Sequence, residues 1–224
     1  QEKAEAARPY SSRLEEMLSS LASSAISGEG VIKLLTGTGK QENYLVIPVT
    51  ADRGLCGGFN SSINRETTKY IRSLEKDNKT VTLLTIGKKS RDFFNRIMKD
   101  KIIESYVDLG ATGAGYDTAI QISNKIQSLY FDNQFDVCVL VYNKFKSVIV
   151  QEVTQQQLVP LDIVNKEEIE NKEKIQDSSI YTYEPDEESI LQDLLPKNVS
   201  IQIFKILLES NAGEQGARMM AMDN

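Results

Sequence analysis

Three glycine-rich segments come closest to a spacing that could do chemistry. Thr50-Ala-Asp-Arg-Gly-Leu-Cys-Gly-Gly-Phe-Asn60 follows a β-branched run and precedes a helical pattern. In a doubly wound sheet that is where a phosphate sits, on backbone N–H groups at a helix N-terminus. The order is wrong for a dinucleotide: Gly54, Gly57 and Gly58 read G-x-x-G-G, and the next strand run ends at Ile86-Gly87 without an acidic residue for a ribose hydroxyl. Tight turns and close packing are the preferred account, and a nucleotide-binding α/β enzyme using the Gly54–Gly58 loop is the alternative. Gly37-Thr-Gly-Lys-Gln41 misses the G-x-x-x-x-G-K-[ST] phosphate loop twice, with Leu34 at the first glycine position and Gln41 where the magnesium-binding hydroxyl belongs. It reads as a surface turn. Residues 110–115 have the third cluster, again in the wrong order, and read as a flexible loop.

Cys56 stands near a helix start, which can lower a thiol pKa. The chain has no histidine to serve as its base, so a packed or partner-facing cysteine is expected. The pairs Asp186 with Glu187 and Glu167 with Glu168 lie in highly polar stretches and read as solvated charges. The absence of histidine also removes Ser-His-Asp and Cys-His catalysis and histidine metal ligands. Cys56 and Cys138 are too few for a zinc site or a disulfide framework. No catalytic residue, cofactor or metal is therefore expected. Against 26 Lys+Arg stand 32 Asp+Glu, a formal charge of −6, which makes nucleic acid a poor partner. No apolar run approaches the roughly 20 residues of a membrane span. Two thiols and an opening without a signal segment suggest a reducing compartment.

The elements that must position these residues alternate. Apolar residues at Ala7, Tyr10, Leu14, Met17 and Leu21 recur in coiled-coil a/d spacing through a helix over 2–25, with Pro9 a kink or local boundary. Strand runs are expected at 44–50, 80–86, 102–107 and 136–142, and helices at 62–75, 88–99 and 117–131. Such alternation implies a mostly parallel, Rossmann-like sheet. The Asn143-Lys-Phe-Lys146 connection is too short for a crossover, so 147–158 should return antiparallel. A charged loop over 165–177 and a short strand at 180–184 follow. Pro185 then opens a last helix, with a possible break at Pro196, whose stripe is Phe204, Leu208, Ala212, Gln215, Met219 and Met222. The expected organisation is a helix over 1–27, an α/β domain over 28–185 and a second helix over 186–224. The two helices should pack antiparallel, since each exposes only a narrow apolar seam.

Residues 50–60 and 209–224, the latter ending Ala217-Arg-Met-Met-Ala-Met-Asp-Asn224, resemble signatures of the gamma subunit of the F-type ATP synthase. Tyr183-Glu-Pro185 and a turn at Leu195-Pro-Lys197 fit the same family in the same order. The sequence departs from it at Gln215, where many members have histidine, and at Gly213 and Gly216, each of which lowers helix stability by roughly 1 kcal/mol relative to Ala. The resemblance implies a non-catalytic rotor shaft that couples proton-driven rotation of a membrane c-ring to ATP synthesis in the beta subunits, with alpha and epsilon-type subunits as further partners. It implies a beta-facing loop at Arg53, Gly54, Leu55, Cys56 and Phe59, and a foot facing the c-ring at Leu195, Pro196, Lys197 and Asn198. The implied location is peripheral, on the inner face of an energy-transducing membrane: the cytoplasmic side in bacteria or, alternatively, the matrix side in mitochondria. Without a start methionine or a cap at Asn224, the chain is expected to lack the upper part of the shaft. A stand-alone coiled-coil adaptor is the remaining rival.

Overall fold

The computed structural model describes residues 18, 32–109, 115–147, 150–161 and 187–223. Its elements are α1 (Lys33–Thr36), β1 (Asn43–Pro48), α2 (Phe59–Lys76), β2 (Thr80–Ile86), α3 (Lys88–Ile97), β3 (Ile102–Tyr106), α4 (Tyr116–Phe131), β4 (Val137–Phe145), β5 (Gln151–Val159) and α5 (Glu187–Asp223). The five strands form one sheet in the order β3-β2-β1-β4-β5, parallel throughout except for β5. The Rossmann-like reading holds. So does the antiparallel return, although β4 runs on to Phe145 and β5 begins at Gln151, so the hairpin connection lies beyond Phe145.

The central strands are apolar on both faces because helices cover both. Side chains alternate across a strand, so Leu45, Ile47, Leu84, Ile86, Cys138, Leu140 and Tyr142 join one buried cluster with α4 and α5. Tyr44, Val46, Val81, Leu83, Val137, Val139 and Val141 join the other, which includes Phe59, Ile63, Ile71 and Leu74 of α2 and Phe94 of α3. At the amino ends of β1 and β4, Asp136 latches the chain. It accepts from Thr38 Oγ1 at 2.9 Å, Asn43 N at 2.9 Å and Glu42 N at 3.0 Å. Burial works to raise its pKa, but these hydrogen bonds outweigh burial and hold the carboxyl below its ordinary value. The Gly37–Gln41 segment is thus the expected surface turn, with Gly37 and Gly39 at φ of +79° and +76°.

The long helix departs from expectation. It is unbroken at Pro196, and residues 195–198 form helix instead of a turn. A mid-helix proline costs about 3 kcal/mol or more. Leu191, Leu195, Val199 and Ile203 around it are buried to 1% exposure or less, and each buried aliphatic side chain returns roughly 1.5–3 kcal/mol. Burial wins. These residues and Ile206 press α5 against α4 and β4, so the helix has a broad core-facing side as well as the anticipated stripe. On that stripe, Phe204, Leu208 and Ala212 are half-buried, while Met219 and Met222 are 49% and 77% exposed. Phe204 stacks edge-on with Tyr116 of α4, centroids 5.5 Å apart. Ala7, Tyr10, Leu14, Met17 and Leu21 lie outside the described residues, as do the 165–177 loop, the 180–184 strand and residues 110–114. From the first helix only Leu18 is described; it is fully buried in the same cluster as α5.

Candidate functional site

The 50–60 loop forms at the carboxyl end of β1, where the strand leaves the sheet between β2 and β4. Val49 N donates to Val141 O and Thr50 N to Ile86 O, both at 2.9 Å. Thr50 Oγ1 accepts from Ser90 N at 2.8 Å and donates to Ile86 O at 3.2 Å. Gly87 makes this approach possible. Its φ is +92°, and a Cβ there would overlap the Thr50 carbonyl. Asp52 then accepts from Lys88 N and Asp108 N, each at 3.0 Å, so its carboxylate sits at the start of α3 and ties it to the chain after β3. Asn60 accepts from Ala51 N at 2.9 Å and donates to Cys56 Sγ at 3.0 Å, which folds the loop back on itself.

The far end of α5 closes over this loop. Arg218 reaches Glu214 Oε1 at 2.6 Å and the Gly54 carbonyl at 3.5 Å. Phe59 lies against Gly213, where an added Cβ would stand 3.2 Å from the ring and 3.8 Å from Asn143 O. Asn143 Nδ2 in turn donates to Phe59 O at 3.2 Å. Gly213 is therefore a notch that lets the loop and β4 approach the helix. A cavity of about 220 Å³ remains between Thr50–Arg53, Gly87, Asp108 and the Ser210–Arg218 turns. Burial raises the Glu214 pKa, with Arg218 acting against it. Burial and the nearby Glu214 raise that of Cys56.

The expected site residues divide accordingly. Arg53 and Leu55 are exposed, Leu55 at 87% and with φ of +60° at the loop tip. Gly54 is half-buried under Arg218. Cys56 and Phe59 are only 2% and 3% exposed. Cys56 is thus packed, and its thiol is raised instead of activated. Of the anticipated foot, Leu195 and Asn198 are buried, Pro196 is half-buried and Lys197 is exposed. Of the three loop glycines only Gly57 needs a positive φ, +53°. Asp52 occupies the start of α3, not the start of α2 that follows the Gly54–Gly58 loop. Sequence reasoning passed over Asp52, Asn60, Gly87, Asn143, Glu214 and Arg218. All but Gly87 and Asn143 lie within the two segments it had singled out, but their partners are up to 164 positions away.

Fold and junction together define a doubly wound α/β domain that grips a long helix with two segments remote in sequence. A family model described as ATP synthase matches residues 1–224. The ATP synthase gamma chain of Rhodospirillum rubrum is 49% identical over all of this chain and 76% of its own length, and that of Paramagnetospirillum magneticum 45% over 99% and 74%. The fold resembles a chain of the Tetrahymena thermophila mitochondrial ATP synthase central stalk and c-ring structure, at TM-score 0.63 and 24% identity over 99% of this chain and 98% of that one. It also resembles a chain of the Euglena gracilis mitochondrial ATP synthase rotor, at TM-score 0.60 and 18% identity over 100% and 88%. The chain belongs to the ATP synthase gamma chain family. It is a non-catalytic subunit of that membrane-associated complex. No helix among the described residues is long and apolar enough to cross a membrane.

Proposed function

We propose that this chain carries torque between a proton-driven c-ring and the catalytic beta subunits, within a complex that also holds alpha and epsilon-type subunits. The observation that supports this reading is the junction of the 50–60 loop with the last turns of α5. A shaft works only if its helix cannot swivel on its base. Here Arg218, Gly213 and Phe59 lock the helix in rotation, while Leu195, Val199 and Ile203 bury its earlier turns in the domain. Torque transfer is then differential contact of one rigid body with successive conformations of its partners.

Arg53 and the Leu55 side chain are the groups free to touch a beta subunit; Gly54, Cys56 and Phe59 hold that tip in place from beneath. Lys197 is the accessible member of the foot-facing set, with Pro196 beside it. The exposed Met219 and Met222, with Leu208 and Ala212, form the side of α5 on which the Ala7–Leu21 seam would pack, antiparallel. The shaft reading assigns 1–27 and 186–224 to the stalk helices and 28–185 to the α/β domain at its base. We place the assembly on the inner face of the membrane, cytoplasmic in a bacterium or facing the matrix in a mitochondrion.

The test is coupling in the reconstituted complex. Arg218→Ala and Leu55→Ala should leave ATP hydrolysis largely intact and lower proton pumping per ATP hydrolysed. A cysteine at position 55, tethered to one introduced in beta, should stop multisite turnover until it is reduced. Normal pumping by both variants, with full turnover in the tethered complex, would overturn the assignment.

A further inference from the structure

The face of the domain turned away from α5 has a groove that the shaft reading does not use. It runs between α2 and α3, encloses about 790 Å³, and is lined by Arg65, Lys69, Arg72 and Lys76 of α2 and Lys89 and Arg96 of α3, with no carboxylate among its lining residues. All six cations are exposed. The spacings of four, three and four along α2 put its four cations in one stripe, roughly 16 Å long at the rise of an α-helix.

The acids on the same helices face elsewhere. Glu66 accepts from Gln155 at 3.0 Å, Glu75 pairs with Lys101 at 2.8 Å, and Asp92 pairs with Arg91 at 2.8 Å. Among the described residues none of the six groove cations pairs with a carboxylate. Like charges three and four positions apart on a helix repel by a few tenths of a kcal/mol per pair, so the stripe opposes the stability of α2. The groove also has a recess. Asn64, 5% exposed, donates from Nδ2 to Lys89 O at 3.4 Å and leaves its Oδ1 without a partner. Phe93 supplies an apolar wall beside it.

We propose that this groove docks an acidic helix of a partner protein. A third helix fits the trough between two others, and carboxylates recurring every three or four residues would meet the α2 stripe in register. An apolar side chain of the visitor would rest on Phe93. A flat bilayer would meet the protruding cations but not Phe93, half-buried between the two helices. A long nucleic acid would run off the stripe onto a chain that, without these six cations, has a large acidic excess. The inference stands whether or not the torque reading does, since it rests on this face alone.

Fluorescence anisotropy on the full chain tests it, with a labelled helical peptide whose glutamates alternate at spacings of four and three around one leucine. Saturable binding that weakens with salt is expected. The pair R65E and R72E should lower affinity at least about tenfold, a change of about 1.4 kcal/mol, with the helical circular dichroism unchanged. K40E and K99E, outside the groove, should bind as the parent does. Undiminished binding by R65E/R72E would overturn the proposal. So would equal binding of a peptide with the same composition in scrambled order, or binding through these arginines to phosphatidylglycerol vesicles but not to the peptide.

Discussion

The two faces of the sheet are built from the same strands and differ in what covers them. On the α4–α5 face the strand side chains continue into a dry cluster with Leu18, Leu191, Leu195, Val199 and Ile203. On the α2–α3 face the apolar layer ends at Ile63, Ile71, Leu74 and Phe94, and the outer helix surface is basic and open. Burial follows mechanical duty: the face that holds the long helix is closed, whereas the other presents charge to whatever passes. The carboxyl end of β1 joins the two, because its loop begins α2 and also clamps the last turns of α5.

Substitutions can break this contrast. The largest effect is expected at Ile203→Asp, which places a charge in the dry cluster and should cost about 3–5 kcal/mol in urea unfolding. Lys69→Glu on the open face should stay within about 0.5 kcal/mol of the parent. Equal losses at the two positions would erase the distinction. Next comes Gly87→Ala, which forces a Cβ into the Thr50 carbonyl at positive φ; a loss of at least about 3 kcal/mol is expected. Asp136→Ala removes the latch at the opposite end of β1 and should cost about 2 kcal/mol at neutral pH. Its folded pKa is depressed, so the stabilisation is present above the unfolded carboxyl value and is lost as pH falls through the folded one. The gap between Asp136→Ala and the parent should therefore narrow below about pH 4. A constant gap down to strong acid would mean that the carboxylate charge is not what holds the turn.

The smallest stability change sharpens the contrast most. At Gly213 the usual gain of about 1 kcal/mol for alanine in a helix meets the Phe59 ring at 3.2 Å, so Gly213→Ala should alter stability by no more than about 1 kcal/mol. Gly213→Leu overpacks the notch and should cost about 1–3 kcal/mol. The same variant should uncouple proton pumping in the assembled complex before the domain unfolds. A leucine tolerated there without cost would show that the loop and the helix are not tightly joined.

The alternation of strands and helices, the antiparallel return after β4 and the buried central strands could all be read from local pattern, because period and propensity act within a few residues. The family could be read from the 50–60 and 209–224 segments for the same reason: a contiguous motif keeps its spacing in the chain. Which face of α5 is buried could not be read that way. The stripe through Phe204 and Met222 has good helical spacing, but Leu191, Leu195, Val199 and Ile203 share an equally good one, and only the neighbouring sheet and α4 select between them. Pro196 was misread because its local cost is visible in the sequence and the burial that offsets it is not. Gly213, a weak point by propensity, became a notch once Phe59 and Asn143 came to lie beside it. Cys56 drew attention as a thiol near a helix start, yet packing against Asn60 and the end of α5 decided its chemistry. Local pattern thus determined the elements, their order and the family. The tertiary structure alone decided how the long helix is gripped, because the contacts that reach it from the loop and from the sheet join residues whose separation in the chain gives no sign of their meeting.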